Sequence, residues 1–526
     1  MDIISYTKAK RAQQKADDVQ TQLEQVVIDG DSSVEAAQAR VDRKGRTHAT
    51  LKENLDVNFS EVDAQLAQIA TYAKNFGAKG DGVTDDTKSI NDAIQFCKEK
   101  GGGTVLLGDG VYLVDGANGD FEYRGRNGAI IMESGVYLEL SDNAVIKQTP
   151  TNYDSYVIVN FRNVVNSGIK GGKIVGDRYT HSGSTGEWGY GVGVFSSQYV
   201  TIEDITIEEC WGDGLNLKKA HDDILGSVSG KDAQNQNIAI KNVTSTDNRR
   251  QGLSIESGLN IKVFDSEFNE TNGTDPQCGI DIEPAGSSEW VDGVLISRCK
   301  IKDNQGAGIL LYGGYGEVKN ISVVECDLID NLSIEGNFVT NQVSHTVLRN
   351  SKLINGSIRM QRTHQTTISN IQTTDGIGLH GCEDITIDNS TFKRNVDSIP
   401  LATISDVNGD QCRNIVFNNV TITTTPYTSS DIFERLRGYN INFVNCEISN
   451  GRSIGSIIDD HTITFKNCLI QNMSIEAIVL RNSSKGVFKN NIFTGICFDN
   501  SGAYMVRLND SSQAVFANND FYQENF

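Results

Sequence analysis

The chain has 526 residues, and its 68 Asp and Glu against 47 Lys and Arg give a net charge of −21 and a pI near 4.8. That balance opposes non-specific attraction to nucleic acid and to anionic membranes, so a polyanionic ligand would need a local basic patch. No apolar run reaches 18 residues and Met1 to Gln25 is charged throughout, which excludes a transmembrane helix and predicts a product without a signal peptide, made in the cytoplasm and not inserted in a membrane.

Residues 1–68 are rich in Ala, Gln, Glu, Lys and Asp and poor in Gly, with apolar residues at helical spacing through VEAAQARVDRKGRTHATLKENLDVNFSEVDAQLAQI. The pattern predicts two or three helices interrupted near Gly30 to Ser32 and at Gly45. With so few large apolar residues these helices cannot build their own core, so they are expected to associate with copies of themselves or to dock elsewhere. A homotrimer is the expected assembly.

From Tyr72 the texture changes to YAKNFGAKGDGVTDDTKSINDAIQFCKEKGGGTVLLGDGVYLV. Thr84, Asp85 or Asp86 is placed to cap a helix over about 86–100 whose apolar stripe is Ile90, Ala93, Ile94 and Cys97. Gly101 to Gly103 end it, and TVLL and VYLV read as strands. GDGVTDD lacks the twelve-residue acidic ladder of a calcium loop and reads as a turn with a helix cap.

Beyond Tyr199 one short pattern recurs: a β-branched run, Asn or Asp, a second alternating run, then Gly. It reads NIAIKNVTSTDN from Asn237, NIKVFDSEFNETN from Asn260, NISVVECDLIDN from Asn320, DITIDNSTFKRN from Asp384, NIVFNNVTITTT from Asn414 and NINFVNCEISN from Asn440. Copies lie roughly 23 to 30 residues apart, or about double that where a weaker copy intervenes, the spacing of a solenoid built coil by coil. The ten cysteines have no C-x-x-C pair, and several fall at equivalent repeat positions, which predicts stacked, buried thiols and neither a zinc site nor a redox pair.

The opening NFGAKGDGVTDDTKSINDAI…GGGTVLLGDGVYLV resembles the first coil of the right-handed β-helices of the pectate-lyase superfamily. The SSVEAAQARVDRKGRTHATLKENLD segment is similar to N-terminal segments of phage and prophage tail and neck appendage proteins. Together they resemble a phage tailspike. The resemblance implies an all-β solenoid, a right-handed parallel β-helix over 69–526 behind a short N-terminal α-helical segment that attaches to phage tail or neck proteins in the virion. Within it, coils at about 175–315 would carry the chemistry and coils at about 316–526 would complete the body. Because this fold carries lyases, hydrolases and non-enzymes alike, activity has to be argued from the site.

Four strands align on a Gly followed by alternation: GLNLKK at Gly214, GLSIES at Gly252, GIDIEP at Gly279 and GILLYG at Gly308. Side chains alternate across a strand, so Leu215/Leu217, Leu253/Ile255, Ile280/Ile282 and Ile309/Leu311 are expected inside. Asn216 with Lys218, Ser254 with Glu256, Asp281 with Glu283, and Leu310 with Tyr312 are expected on the solvent side. A preceding coil, GYGVGVF, would put Gly193 and Phe195 on the same columns. Aromatic faces around carboxylates suit sugar rings.

Asp281 and Glu283 are the first catalytic candidates, as acid and base of a glycoside hydrolase, and Glu256 is the third member. At about 4.8 Å between coils and about 6.5 to 7 Å between i and i+2, the set offers both the retaining and the inverting separation. Crowding raises the pKa of at least one carboxyl. Asp213, Arg249 and Arg250 precede these strands and are expected to lean over the groove. In GDRYTHSGSTGEWGYGVGV, His181, Glu187, Trp188 and Tyr190 are groove candidates; Lys218 and Tyr312 complete the expected ligand-binding set. The other histidines (48, 221, 345, 364, 380, 461) read as turn or surface residues.

The expected function is therefore a tailspike depolymerase that binds and cleaves a bacterial surface polysaccharide by hydrolysis, without a cofactor. β-Elimination on a uronic-acid glycan is the alternative. It would use His181, Tyr190 or a Lys as base and Arg249, Arg250 or Ca2+ to neutralise the carboxylate. A non-catalytic adhesin is the reading from another class.

Overall fold

The computed structural model describes residues 14–15, 40–42, 44–59, 71–116, 127–220, 234–331, 338–394, 400–424, 430–457, 461–475, 477–495, 506–510 and 512–522. Most of the segment expected to be helical over 1–68 lies outside them, as does His221; a helical stretch over 51–59 is described. No helix among the described residues is long and apolar enough to cross a membrane.

The body is a parallel β-helix whose strands form two sheets of 17 and one of 15. Apart from the first and last, each coil contributes a strand to each sheet and pairs in parallel register with the coils before and after it. The repeated pattern fixes this path: β-branched alternation gives the strand, and the recurring Asn or Asp gives the corner. Between the first and second strand of successive coils one residue takes the left-handed conformation, as at Asn445 (φ 54°), Asn467 (φ 55°) and Asn490 (φ 53°). Asn tolerates that region better than other non-glycine residues. Its side chain also ties coils together, since Asn467 Nδ2 donates to Asn445 Oδ1 at 3.0 Å and Asn490 Nδ2 to Asn467 Oδ1 at 3.1 Å.

One continuous apolar core fills the bore. It takes in Leu215, Leu217, Leu253, Ile255, Ile280, Ile282, Ile309 and Leu311, all fully buried, and further along Phe417, Phe443, Phe465 and Phe488 stack ring on ring at 4.7 to 5.5 Å. The nine described cysteines are buried and free. Helix α1 (Thr87–Glu99) closes the first coil with Ile90, Ala93, Ile94 and Cys97 turned inward. The turn before it is built by carboxylates acting on backbone: Asp81 Oδ1 accepts from Val83 and Thr84 N–H, and Asp86 from Lys79 and Gly80 N–H.

The sheet that concerns function includes β1 (Ser155–Arg162), β2 (Trp188–Phe195), β3 (Leu215–Lys218), β4 (Leu253–Ile255), β5 (Ile280–Ile282) and β6 (Ile309–Tyr312). Their register stacks Asn160, Gly193, Asn216, Ser254, Asp281 and Leu310 in one column. The long segment between Leu217 and Leu253 introduces no shift, because Leu215 faces Leu253 and Leu217 faces Ile255.

Candidate active site

The columns stand where alternation puts them, yet the carboxyl groups are not in open solvent. Asp213 is 0% exposed, Asp281 1% and Glu256 9%, while Glu283 is half-buried. The expectation of a solvent-facing acid pair is corrected in this respect. These side chains lie outside the bore, on the outer face of the sheet, but loops that enter the sheet from the preceding strands cover them. Gln251 is one such cover: its Nε2 donates to Asp281 Oδ2 at 2.7 Å and its Oε1 accepts from Cys278 N–H at 2.9 Å. Arg250 is another, with Nη1 3.2 Å from Asp213 Oδ1 and Nε 3.5 Å from Glu187 Oε2.

The acids are shifted in opposite directions by their surroundings. Burial pushes Asp213 up to about 6, against the pull of Arg250 and the Asn216 amide. Burial, with Glu283 beside it, holds Asp281 well above the usual carboxylate range, and Asp281 Oδ1 is buried without a hydrogen-bond partner. Glu283 is raised by burial, Arg250 opposing and Glu256 adding to the shift.

Glu256 goes the other way. Burial alone would raise it, but Lys218 and Asn216 outweigh that and hold it below its ordinary value. Lys218 Nζ lies 2.9 Å from Glu256 Oε2, and Asn216 Nδ2 donates to Glu256 Oε1 at 2.9 Å. Two neighbouring coils therefore present carboxyls shifted toward the protonated form and one shifted toward the ionised form, the division of labour that acid–base chemistry needs.

Among the other expected ligand residues, several serve the scaffold. The His181 side chain is wholly buried, 2.9 Å from Asp177 through Nδ1 and stacked on Trp211 at 3.9 Å; it does not reach a groove. Asp177 also accepts from Thr151 and from the Tyr156 hydroxyl. Arg249 lies over the other ring contact of Trp211, 3.8 Å from the centroid, and donates to the Gly186 and Trp211 carbonyls. It clamps the loop and does not lean over the acids. Tyr190 is buried in a small cluster with Val157 and Phe195. Trp188 is 36% exposed, and Tyr312, half-buried, meets Tyr315 edge to face at 5.3 Å, so aromatic surface is offered by Trp188 and by the Tyr312–Tyr315 pair. His461 is 3% exposed and His380 half-buried, correcting the expectation of surface roles for both. Among the described residues no three His, Cys, Asp or Glu side chains converge as metal ligands.

Sequence reasoning missed Gln251, Asn216 as a ligand of Glu256, and Trp211. Each acts through a contact with another coil, and only the column of Asn216 was visible in the alternation.

The sequence matches the family model described as "Right handed beta helix region" over residues 108–289 and 375–526. The uncharacterized protein YclG of Bacillus subtilis (strain 168) is 25% identical over 497 residues, 87% of this chain and 80% of YclG. Mannuronan C5-epimerase AlgE4 of Azotobacter vinelandii is 32% identical over 156 residues, 27% of each chain, and its solved A-module aligns with 72% of this chain and 95% of its own at 18% identity and a TM-score of 0.48. The capsule KN3-specific depolymerase 1 of Klebsiella phage KN3-1 is 27% identical over 158 residues, 29% of this chain and 20% of the depolymerase.

Proposed function

The chain belongs to the right-handed β-helix family, and on that scaffold we propose that it is a phage tailspike depolymerase that lays a bacterial surface polysaccharide along the sheet carrying Asp281 and cleaves it by glycoside hydrolysis. The observation that carries the reading is the opposite charge bias of Glu283 and Glu256 on adjoining coils. Kinship with a capsule-specific phage depolymerase and a mannuronan epimerase supports a polysaccharide substrate.

Glu283, half-buried and shifted toward its protonated form, gives its proton to the glycosidic oxygen as the bond to the anomeric carbon breaks. Glu256, ionised and one rung away at about 4.8 Å, attacks that carbon. This spacing is close to the short separation, about 5 to 5.5 Å, of enzymes that retain configuration. Water then displaces Glu256 while Glu283 takes its proton back. Lys218 and Asn216 hold Glu256 charged and aimed; Asp281 and Asp213 lie beneath and keep the negative charge at the surface concentrated on Glu256. Elimination is the second reading, because the epimerase relative acts on mannuronan.

Incubation of the protein with host-envelope polysaccharides tests both. New reducing ends without ultraviolet-absorbing unsaturated sugars support hydrolysis, unsaturated products support elimination, and no degradation by any envelope supports an adhesin. In the proposed virion the N-terminal segment joins tail or neck proteins and the chain forms a trimer.

A further inference from the structure

The column that holds Asp281 continues through Leu310, Val339, Arg359, Gly378 and Thr403. The column beside it runs Tyr312, Asn341, Gln361, His380 and Ser405. Arg359 lies three coils beyond Asp281, about 14 Å at the usual strand spacing. It is half-buried, and among the described residues it makes no hydrogen bond or ion pair. In a chain of net charge −21 an arginine that meets no carboxylate among the described residues on a partly covered surface is unusual, since desolvating a guanidinium is costly unless an anion meets it.

The next position on that column has no side chain. A Cβ at Gly378 would lie 3.0 Å from His380 Nε2 and 4.0 Å from Arg359 Cγ, so the glycine leaves a notch walled by these two residues. His380 Nδ1 is 2.8 Å from Ser405 Oγ. In the tautomer in which the Ser405 hydroxyl donates to Nδ1, the ring proton sits on Nε2, which borders the notch. Burial and Arg359 hold His380 below its ordinary pKa, so the ring serves as a neutral donor and not as a second cation. The other charged groups that His380 feels are Arg435 and Glu434, which lie 4.0 Å from each other. His380 Nε2 and the Arg359 side chain thus both border the Gly378 position.

We infer that Arg359, His380 and the Gly378 notch form an anion subsite that takes the acidic group, carboxylate or phosphate, of a polysaccharide running along the solenoid from Glu283. Between them the half-buried Leu310 offers an apolar surface for a sugar-ring face, while Val339 is buried beneath the column. This inference rests on the proposed glycan-cleaving role and adds the substrate class: the polymer is acidic.

Isothermal titration of the full chain carrying Glu283→Gln, which keeps the probe intact, with an oligouronate, a phosphodiester-linked glycan and dextran tests it. Arg359→Gln is expected to weaken binding of the preferred anionic probe about tenfold, the worth of a hydrogen bond to a charged group, and to leave dextran unchanged. Gly378→Val, which fills the notch without touching a charge, should do the same. The anionic probe that shows the larger loss identifies the acidic group. Equal affinity of parent and both variants for the two anionic probes would overturn the subsite. If Glu283→Gln abolishes cleavage while Arg359→Gln binds normally, the subsite alone fails; if Glu283→Gln still cleaves while binding depends on Arg359, the catalytic reading alone fails.

Discussion

Lys218 and Glu256 face each other across adjoining coils with 2.9 Å between Nζ and Oε2, and their side chains are only 7% and 12% exposed. A buried pair is a weak source of net stability, yet breaking it strands one charge. Here it fixes the charge of the carboxylate proposed to attack the sugar.

Lys218→Met is expected to destabilise the fold by about 3 to 5 kcal/mol and to abolish cleavage, because Glu256 loses the cation that keeps it ionised. The double variant Lys218→Met, Glu256→Gln should recover much of the stability and none of the activity. Chemical denaturation with a parallel cleavage assay reads both; a single variant as stable as the parent would remove the pair from the account.

Asp213 imposes a pH dependence on folding. Its carboxyl has an ordinary value of 3.8 and is raised to about 6 in the fold, so the folded state holds the proton more tightly. The corresponding stabilisation is fully present below about pH 3.8 and is lost as pH rises through about 6, a change of about 3 kcal/mol. Asp213→Asn should therefore show a flatter fall in unfolding free energy between those pH values than the parent. Parallel curves would show that Asp213 titrates normally.

Trp211 is gripped on one side by His181 at 3.9 Å and capped by the Arg249 guanidinium at 3.8 Å. Trp211→Ala should cost about 3 to 5 kcal/mol. Arg249→Gln should lower the thermal midpoint and leave binding of an acidic oligosaccharide unchanged, in contrast to Arg359→Gln. Loss of binding in Arg249→Gln at constant stability would return that arginine to the ligand-binding set.

The assembly proposed from the sparsely apolar N-terminal segment, expected from its sequence to be helical, is a trimer. Static light scattering of the full chain should give three times the 57.4 kDa chain mass; a value at the chain mass itself would refute it.

The legible part of the fold was the part governed by local rules. Period-two alternation after Gly214, Gly252, Gly279 and Gly308 placed Leu215, Leu253, Ile280 and Ile309 in the bore and stacked Asn216, Ser254 and Asp281 in register, since a strand has only two faces. The recurrent Asn and Asp proved to occupy the left-handed corners, a role the repeat pattern alone did not assign. What alternation cannot express is which loop lies over an outward side chain. Gln251 and Arg250 reach Asp281 and Asp213 across 30 and 37 residues of chain, so the covering of the acids and the diversion of His181 and Arg249 to Trp211 depend on packing between coils. Arg359 was invisible for the complementary reason: its significance lies in having no hydrogen bond or ion pair among the described residues and in a side chain that Gly378 does not have.

The most direct test of the central claim is the rate at which Glu283→Gln and Glu256→Gln each depolymerise the cognate envelope polysaccharide, followed by new reducing ends with the fold checked by circular dichroism. Both variants are predicted to fold and to lose activity by at least about a hundredfold, within the range of about 10² to 10⁴ that general acid–base catalysis contributes. Cleavage at the parent rate by either folded variant would contradict the assignment of these two carboxyl groups.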